Sequence, residues 1–275
     1  MKIRAGAFAL LLLAAVAAPL LSHDFWLIPH AFEVAEGDEL VVLGQTSSEF
    51  PTTLSAVTPD RIAEARLVSG STDETIGSVG VSGNSLVLTH RPHRAGQALV
   101  TVRVHPRNIP ESPESFRHYL QIEGAPEALE RYEREGLLPT DSILRRYAKY
   151  AKTLVRVGRG GPTTYDRVVG HPLEFVPLSD PEHVHAGGTL RFRMLLLGQP
   201  VASARGHVSV AESAGASAAY DSAEFETDTN GEFTVRVGGA GIWNVRALYI
   251  VPAPEGSGAD WDVHWATFVW EAAAR

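Results

Sequence analysis

The strongest constraint on this fold is how often the chain is interrupted. From His23 to about Arg107 the apolar runs Phe25–Ile28, Glu39–Leu43, Ala65–Val68, Ser85–Leu88 and Ala98–Val104 stand apart. They are separated by Glu36-Gly37-Asp38, Ser69-Gly70-Ser71, Ser82-Gly83-Asn84 and Arg94-Ala95-Gly96. Glycine in such clusters supplies the positive φ of tight turns, and Asp, Asn and Ser bond back to the local backbone. Runs this short are marginal as helices and suit strands. Across Gln97–His105, Ala98, Val100, Val102 and Val104 share one face, while Gln97, Thr101, Arg103 and His105 take mostly the other. That is the period-two alternation of a half-buried strand. Short strands at this spacing predict an antiparallel β-sandwich.

The texture changes between Ser115 and Val157. Pro126–Glu135 and Asp141–Val155 are rich in good helix formers, with Leu129 and Tyr132, then Ile143, Leu144 and Tyr147, at helical spacing. Thr140 or Asp141 is placed to cap the second helix. Strands return from about Val168: Leu173–Val176, Thr189–Leu197, Gly206–Val210, Glu232–Val237, Ile242–Ile250 and Val263–Val269. Gly198-Gln199-Pro200-Val201 reads as a hairpin turn, and Asn230-Gly231 as a strong turn before Glu232–Val237. The expectation is a mainly β protein of two β-sandwich (immunoglobulin-like) units joined by a short helical segment. Its divisions are a signal segment over 1–22, a sandwich over 23–115, a helical connector over 116–167 and a second sandwich over 168–275.

The first segment reads as a secretory signal. Lys2 and Arg4 precede the uncharged apolar run Ala5–Ala18 and small residues follow. The run is too short for a membrane span of about 20 apolar residues. The mature chain is therefore expected in the periplasm, with no membrane anchor. Cleavage after Ser22 makes His23 the new terminus; cleavage after Ala17 leaves it inside the chain. Lys and Arg total 24 against 32 Asp and Glu, a net charge of −8 that disfavours a nucleic-acid partner. There is no cysteine, which excludes disulfides, thiolate sites and Cys nucleophiles. Eleven histidines and the carboxylates remain as metal donors.

Several segments carry a resemblance. His23-Asp24-Phe25-Trp26-Leu27-Ile28-Pro29, the stretch Arg145-Arg146-Tyr147-Ala148-Lys149-Tyr150-Ala151-Lys152-Thr153-Leu154-Val155, and Val169-Gly170-His171-Pro172-Leu173-Glu174-Phe175-Val176-Pro177 are three of them. Thr227–Gly231, Ala240–Trp243 and Trp261…Trp265-Ala266-Thr267 are the others. Together they resemble a bacterial periplasmic domain family of unknown function (DUF4198-like), linked in part to nickel and cobalt uptake. The resemblance implies a periplasmic location and an association with metal uptake, and it supplies no catalytic residues. Gly198–Val201 through Trp243 is also similar to the carboxypeptidase-regulatory type of β-sandwich.

The histidines define the candidate metal sites. A terminal His23 would chelate an ion through its α-amine and Nδ1, and a second imidazole would complete a brace suited to Cu(II) or Ni(II). An amine of pKa about 8 can serve once binding deprotonates it. His90, His93 and His105 are candidate partners, with His30 nearby in sequence. The alternative is a terminal His whose neighbours Phe25, Trp26 and Leu27 simply anchor the first strand. His90-Arg91-Pro92-His93 is either a two-imidazole site or a solvated turn. In an extended strand His183 and His185 would project to one face, about 7 Å apart, with Glu182 or Asp180 as oxygen donor or supporting partner. Asp180-Pro181 and Gly187-Gly188 place that pair in a loop instead. Asp260, Asp262 and His264 alternate against Trp261, Val263 and Trp265. This reads as a carboxylate–imidazole triad or as a polar edge over a Trp core.

On the expected second helix, Arg145, Arg146, Lys149, Lys152 and Arg156 form a basic face for an anion or for an interdomain contact. The five tryptophans, Trp26, Trp243, Trp261, Trp265 and Trp270, read as core rather than as a glycan platform. There is no Gly-x-Ser-x-Gly, His-Glu-x-x-His, phosphate-binding loop or dinucleotide fingerprint, so no enzyme is expected. The leading expectation is a metal-binding accessory protein. It would hold nickel, cobalt, copper or zinc through His23, His90, His93, His183 and His185, with no organic cofactor. Its partner would be a membrane metal-uptake system or an outer-membrane receptor. The alternatives are a metal-free protein- or glycan-interaction module and a copper histidine-brace redox enzyme.

Overall fold

A computed structural model describes residues 23–122, 126–213, 216 and 221–274; the expected signal segment lies outside them. The first half of the chain forms β1 (Asp24–Pro29), β2 (Glu33–Val34), β3 (Leu40–Ser47), β4 (Ile62–Ser69), β5 (Thr72–Thr75), β6 (Ser78–Ser82), β7 (Ser85–His90), β8 (Gly96–Val104) and β9 (Arg107–Glu111). Two helices follow, α1 (Pro113–Ile122) and α2 (Pro126–Glu135), then the long strand β10 (Ile143–Val157). The second half forms β11 (Leu173–Pro177), β12 (Thr189–Leu196), β13 (Gln199–Pro200), β14 (Arg205–Ala211) and β15 (Asp221–Glu226). It ends with β16 (Glu232–Arg236), β17 (Gly241–Pro252) and β18 (Trp261–Ala272).

The protein is mainly β and sandwich-like, as its punctuation predicts, with two helices between β9 and β10, and its halves are also joined by a shared sheet. One sheet in the order β15-β14-β17-β18-β10-β8-β4-β5 runs through both. The β1-β3-β7-β6 sheet belongs to the N-terminal half. The sheet of β11, β12, β13 and β16 belongs to the C-terminal half. The N-terminal core gathers Phe25, Leu27, Val42, Leu86, Val100, Val102 and Val155, and the C-terminal core gathers Phe175, Phe192, Met194, Phe233, Phe268 and Trp270.

The expected helix Asp141–Val155 is thus corrected to β10, and the helical connector over 116–167 shrinks to α1 and α2. The reason is pairing. β10 runs parallel to β18 from Arg145 to Thr153, antiparallel to β9 near its start and antiparallel to β8 near its end. Helix propensity differences of a few tenths of a kcal/mol per residue yield to ladders on both sides and burial on both faces. Ala98–Val104 is likewise buried on both faces, with Leu99 in the C-terminal core and Gln97 and Thr101 wholly enclosed.

The helices cover one end of the shared sheet. Phe116, Leu120, Leu129 and Tyr132 pack on Leu248, Ile250, Trp261, Val263 and Trp265. β1 covers the same face further along: Trp26 and Ile28 meet Ala211, Ile242 and Val269, while Phe25 and Leu27 enter the N-terminal core. All five tryptophans are at most 4% exposed, so none offers a stacking platform.

Candidate functional site

Because β10 is a strand, the basic cluster expected on one helix face is divided between two faces. Arg145, Tyr147 and Lys149 project to one side; Arg146, Tyr150 and Lys152 project to the other.

The first side opens into a cleft of about 340 Å³, walled by His23, Thr46, Ser55, Thr58, Asp60, Arg61, Arg107, Arg145, Tyr147 and Lys149. Lys149 Nζ donates to the His23 carbonyl. Arg145 is held by a bidentate pair with Glu111 at 2.7 and 2.8 Å and lies over the Tyr119 ring. Arg61 donates to the His105 carbonyl at 2.8 Å. Among the described residues Asp60 is the carboxylate of the wall, against Arg61, Arg107, Lys149 and the Glu111-paired Arg145. The buried Thr46 hydroxyl has no hydrogen-bond partner among the described residues. Burial, then the Lys149 ammonium, holds the His23 imidazole below its ordinary value.

The second side is closed. Arg146 grips Asp262 through two bonds of 2.7 and 2.8 Å, and Tyr150 Oη meets His264 Nδ1 at 3.1 Å. Lys152 Nζ donates to Glu174 at 2.9 Å, both side chains being 1% exposed. Glu174 also accepts from the amides of Val169 and Gly170. His171 lies against the Tyr150 ring, 2% exposed, and neither of its ring nitrogens has a partner among the described residues. Burial drives its pKa well below the ordinary range, aided by the charges of Lys152, Arg103 and Arg66. Asp260, Asp262 and His264 do alternate against a Trp-lined face. They are taken up by the Leu144 amide, Arg146 and Tyr150 respectively, so they are structural edge contacts.

The five expected metal histidines are not brought together. Asp24 pairs with Ser47 and His90 with Leu40 on the same strand β3, so His23 and His90 lie at opposite ends, about 23 Å apart. His90 bonds to Glu74 and to the Gly77 amide, and His93 is exposed on the following turn. His183 lies in the 3-10 turn Pro181–His183, not in a strand, with Nδ1 3.1 Å from Asp180 and its side chain 80% exposed; His185 is also exposed. That turn is tied to Arg156 through Glu182, seven strand residues from Lys149 and His23. Among the described residues no three His, Asp or Glu side chains gather as a metal-holding group.

Sequence reasoning missed Arg61 and Arg107, which reach the cleft from the 3-10 turn Pro59–Arg61 and from the start of β9 and carry no local pattern. It also missed Glu174, His171 and the enclosure of Lys152. A charge inside each apolar run, Leu173-Glu174-Phe175 and Ala151-Lys152-Thr153, was the available signal, because a buried charge requires a partner.

The architecture defines a mainly β, sandwich-type protein carrying two helices on one sheet face. Residues 20–251 match the family described as "Domain of unknown function (DUF4198)", and the chain belongs to that family. No curated protein matches it. Among solved structures, the D0–D1 domain of intimin is 12% identical over 90% of this chain and 97% of that one, with a TM-score of 0.20. A Salmonella alpha-2-macroglobulin mutant is 12% identical over 91% of this chain and 15% of its own, at 0.24. The fibronectin(III)-like modules of Clostridium thermocellum CbhA are 10% identical over 90% and 94%, at 0.20.

Proposed function

We propose that the protein is an exported binding module whose cleft beside Lys149 receives a small oxyanion of the carboxylate or phosphate class. One observation carries this reading. Arg61, Arg107 and Lys149 converge on one cleft beside Arg145, whose charge Glu111 already pairs, and Asp60 is the carboxylate on the described wall, in a chain of net charge −8. Concentrating cationic groups against the sign of the whole molecule costs self-repulsion, which an anionic ligand relieves. Guanidinium forks suit carboxylate and phosphate oxygens. Two of the motifs behind the family resemblance, at His23 and at Arg145–Lys149, border the same cleft.

The same charges repel a bare divalent cation. A role in nickel or cobalt uptake, carried by this cleft, therefore runs through an anionic metal–carboxylate complex rather than through the free ion. The test is calorimetry and thermal unfolding of the purified exported protein with citrate, phosphate, Ni(II) alone and Ni(II)–citrate. A ligand at a hundred times its dissociation constant should add about 2.7 kcal/mol of stability. The gain should weaken as salt rises, because the cleft is open to solvent. No response to either anion sinks the proposal. A response to Ni(II) alone that vanishes in His183→Ala would return the function to the histidines.

A further inference from the structure

Edge strands expose unpaired N–H and C=O groups, and folded proteins blunt them with charge, proline, brevity or cover. Nearly every edge here is blunted. β5 carries Asp73 and Glu74, β9 Arg107, Pro110 and Glu111, β15 Glu224 and Glu226, and β16 Glu232 and Arg236. β13 is two residues ending in Pro200, and β1 and β11 are buried along their whole length.

β6 carries no charge and no proline of its own. It is the outer strand of the β1-β3-β7-β6 sheet and, among the described residues, pairs with β7 alone. No Asp, Glu, Lys or Arg stands between Glu74 and Arg91, and Val81 is 47% exposed. The 3-10 turn Pro59–Arg61 lies beside it without hydrogen-bonding to it.

The sequence of β6, Ser78-Val79-Gly80-Val81-Ser82, reads the same in both directions. From the geometry we infer that β6 pairs antiparallel with β6 of a second copy of this chain, on a two-fold axis through Gly80. The hydrogen-bond phase fits. β6 and β7 are closed by the two-residue turn Gly83-Asn84 from the Ser82–Ser85 pair, so Ser82, Gly80 and Ser78 bond to β7. Val79 and Val81 then direct their N–H and C=O outward. In the centred register Val79 faces Val81 of the other copy, and each pair exchanges both bonds. Gly80 meets its own equivalent in the close, non-bonded position, Cα atoms about 4.5 Å apart. A Cβ built at Gly80 meets nothing within 4 Å, so no described residue fills that space. The resulting contact is isologous and closed. A five-residue edge buries less than the roughly 1,200 Å² of a standard interface. The dimer is therefore weak, and salt strengthens it by screening two chains of net charge −8.

Sedimentation of the purified exported protein over a concentration series, at low and high salt, reads the association directly. The mass should climb toward two chains, more so at high salt. Val81→Lys and Val81→Pro should remain monomeric with unchanged circular dichroism. The chain has no cysteine, so Gly80→Cys can report the register. It should oxidise to a linked dimer, because the 4.5 Å approach lies within disulfide reach. Ser82→Cys should not, its own equivalent lying about 13 Å away along the pair. A wild-type chain that stays monomeric at millimolar concentration overturns the inference. So does a dimer that survives both Val81 variants, or Ser82→Cys linking as readily as Gly80→Cys.

Discussion

Lys149 and Lys152 stand three residues apart on one strand and live in opposite surroundings. Lys152 is 1% exposed and closed against Glu174, with two backbone amides completing the carboxylate's bonds. Lys149 borders an open cleft with three guanidiniums and one carboxylate. The difference is parity. An odd offset along a strand sends side chains to opposite faces; the Lys152 side packs into the C-terminal core, while the Lys149 side opens into the cleft before Ala151 and Val155 enter the N-terminal core. Burial without a partner would expel a lysine's charge, so Lys152 is matched by Glu174; beside the cleft only Arg145 is closed in such a pair, with Glu111, and the remaining cations are screened by water. The closed face thus supports the fold, and the cleft on the other face is where the proposed anion would sit.

The largest expected effect breaks the closed face. Lys152→Met leaves the Glu174 carboxylate buried without its cation, a change worth about 3–5 kcal/mol. Thermal unfolding should fall by roughly 6–20 °C, at about 2–4 °C per kcal/mol for a chain of this size. A loss under about 1 kcal/mol would mean that Glu174 is satisfied by the Val169 and Gly170 amides alone.

Next comes acid. Burial holds His171 well below 6.5 in the folded chain, and His264 is lowered for the same first reason. Unfolded imidazoles protonate near pH 6.5, so below that value the unfolded state binds more protons and stability declines as pH falls. Above it their contribution is complete. Urea unfolding between about pH 7.5 and 5.5 should show a loss of up to about 1.4 kcal/mol per pH unit for each such histidine. His171→Leu should flatten that slope, and an unchanged slope would assign the acid sensitivity elsewhere.

The open face should answer differently. Arg61→Ala with Arg107→Ala should weaken citrate binding by about tenfold or more, at about 1.4 kcal/mol per decade, while stability stays within about 1 kcal/mol. Calorimetry and unfolding on the same samples separate the two. An equal loss of stability would make the cleft another structural cluster. The smallest effect belongs to His183→Ala. Its 80% exposed ring should change stability by no more than about 0.5 kcal/mol and leave anion binding intact.

Much of the fold was legible. Turn clusters and period-two alternation located β1, β3, β4, β7, β8 and most of the C-terminal strands, because these signals act within a few residues. The family resemblance was legible too, since its motifs are contiguous. β10 was not. Its residues Arg145–Val155 favour a helix locally, and only the partners Trp261–Val269, Arg107–Glu111 and Gly96–Leu99 make it a strand. The cleft was half legible. Lys149, Arg145 and His23 were singled out, though as parts of different sites, while Arg61 and Arg107 looked like ordinary surface residues.

The amino-acid order alone determined a mainly β, cysteine-free and acidic chain with alternating strands, since composition, turn chemistry and side-chain period are local properties. Which charges are enclosed and which open to solvent was decided only by the tertiary structure. That choice depends on the parity of β10 and on the sheets packed over each of its faces, and both are set by pairings with residues up to a hundred or more positions away.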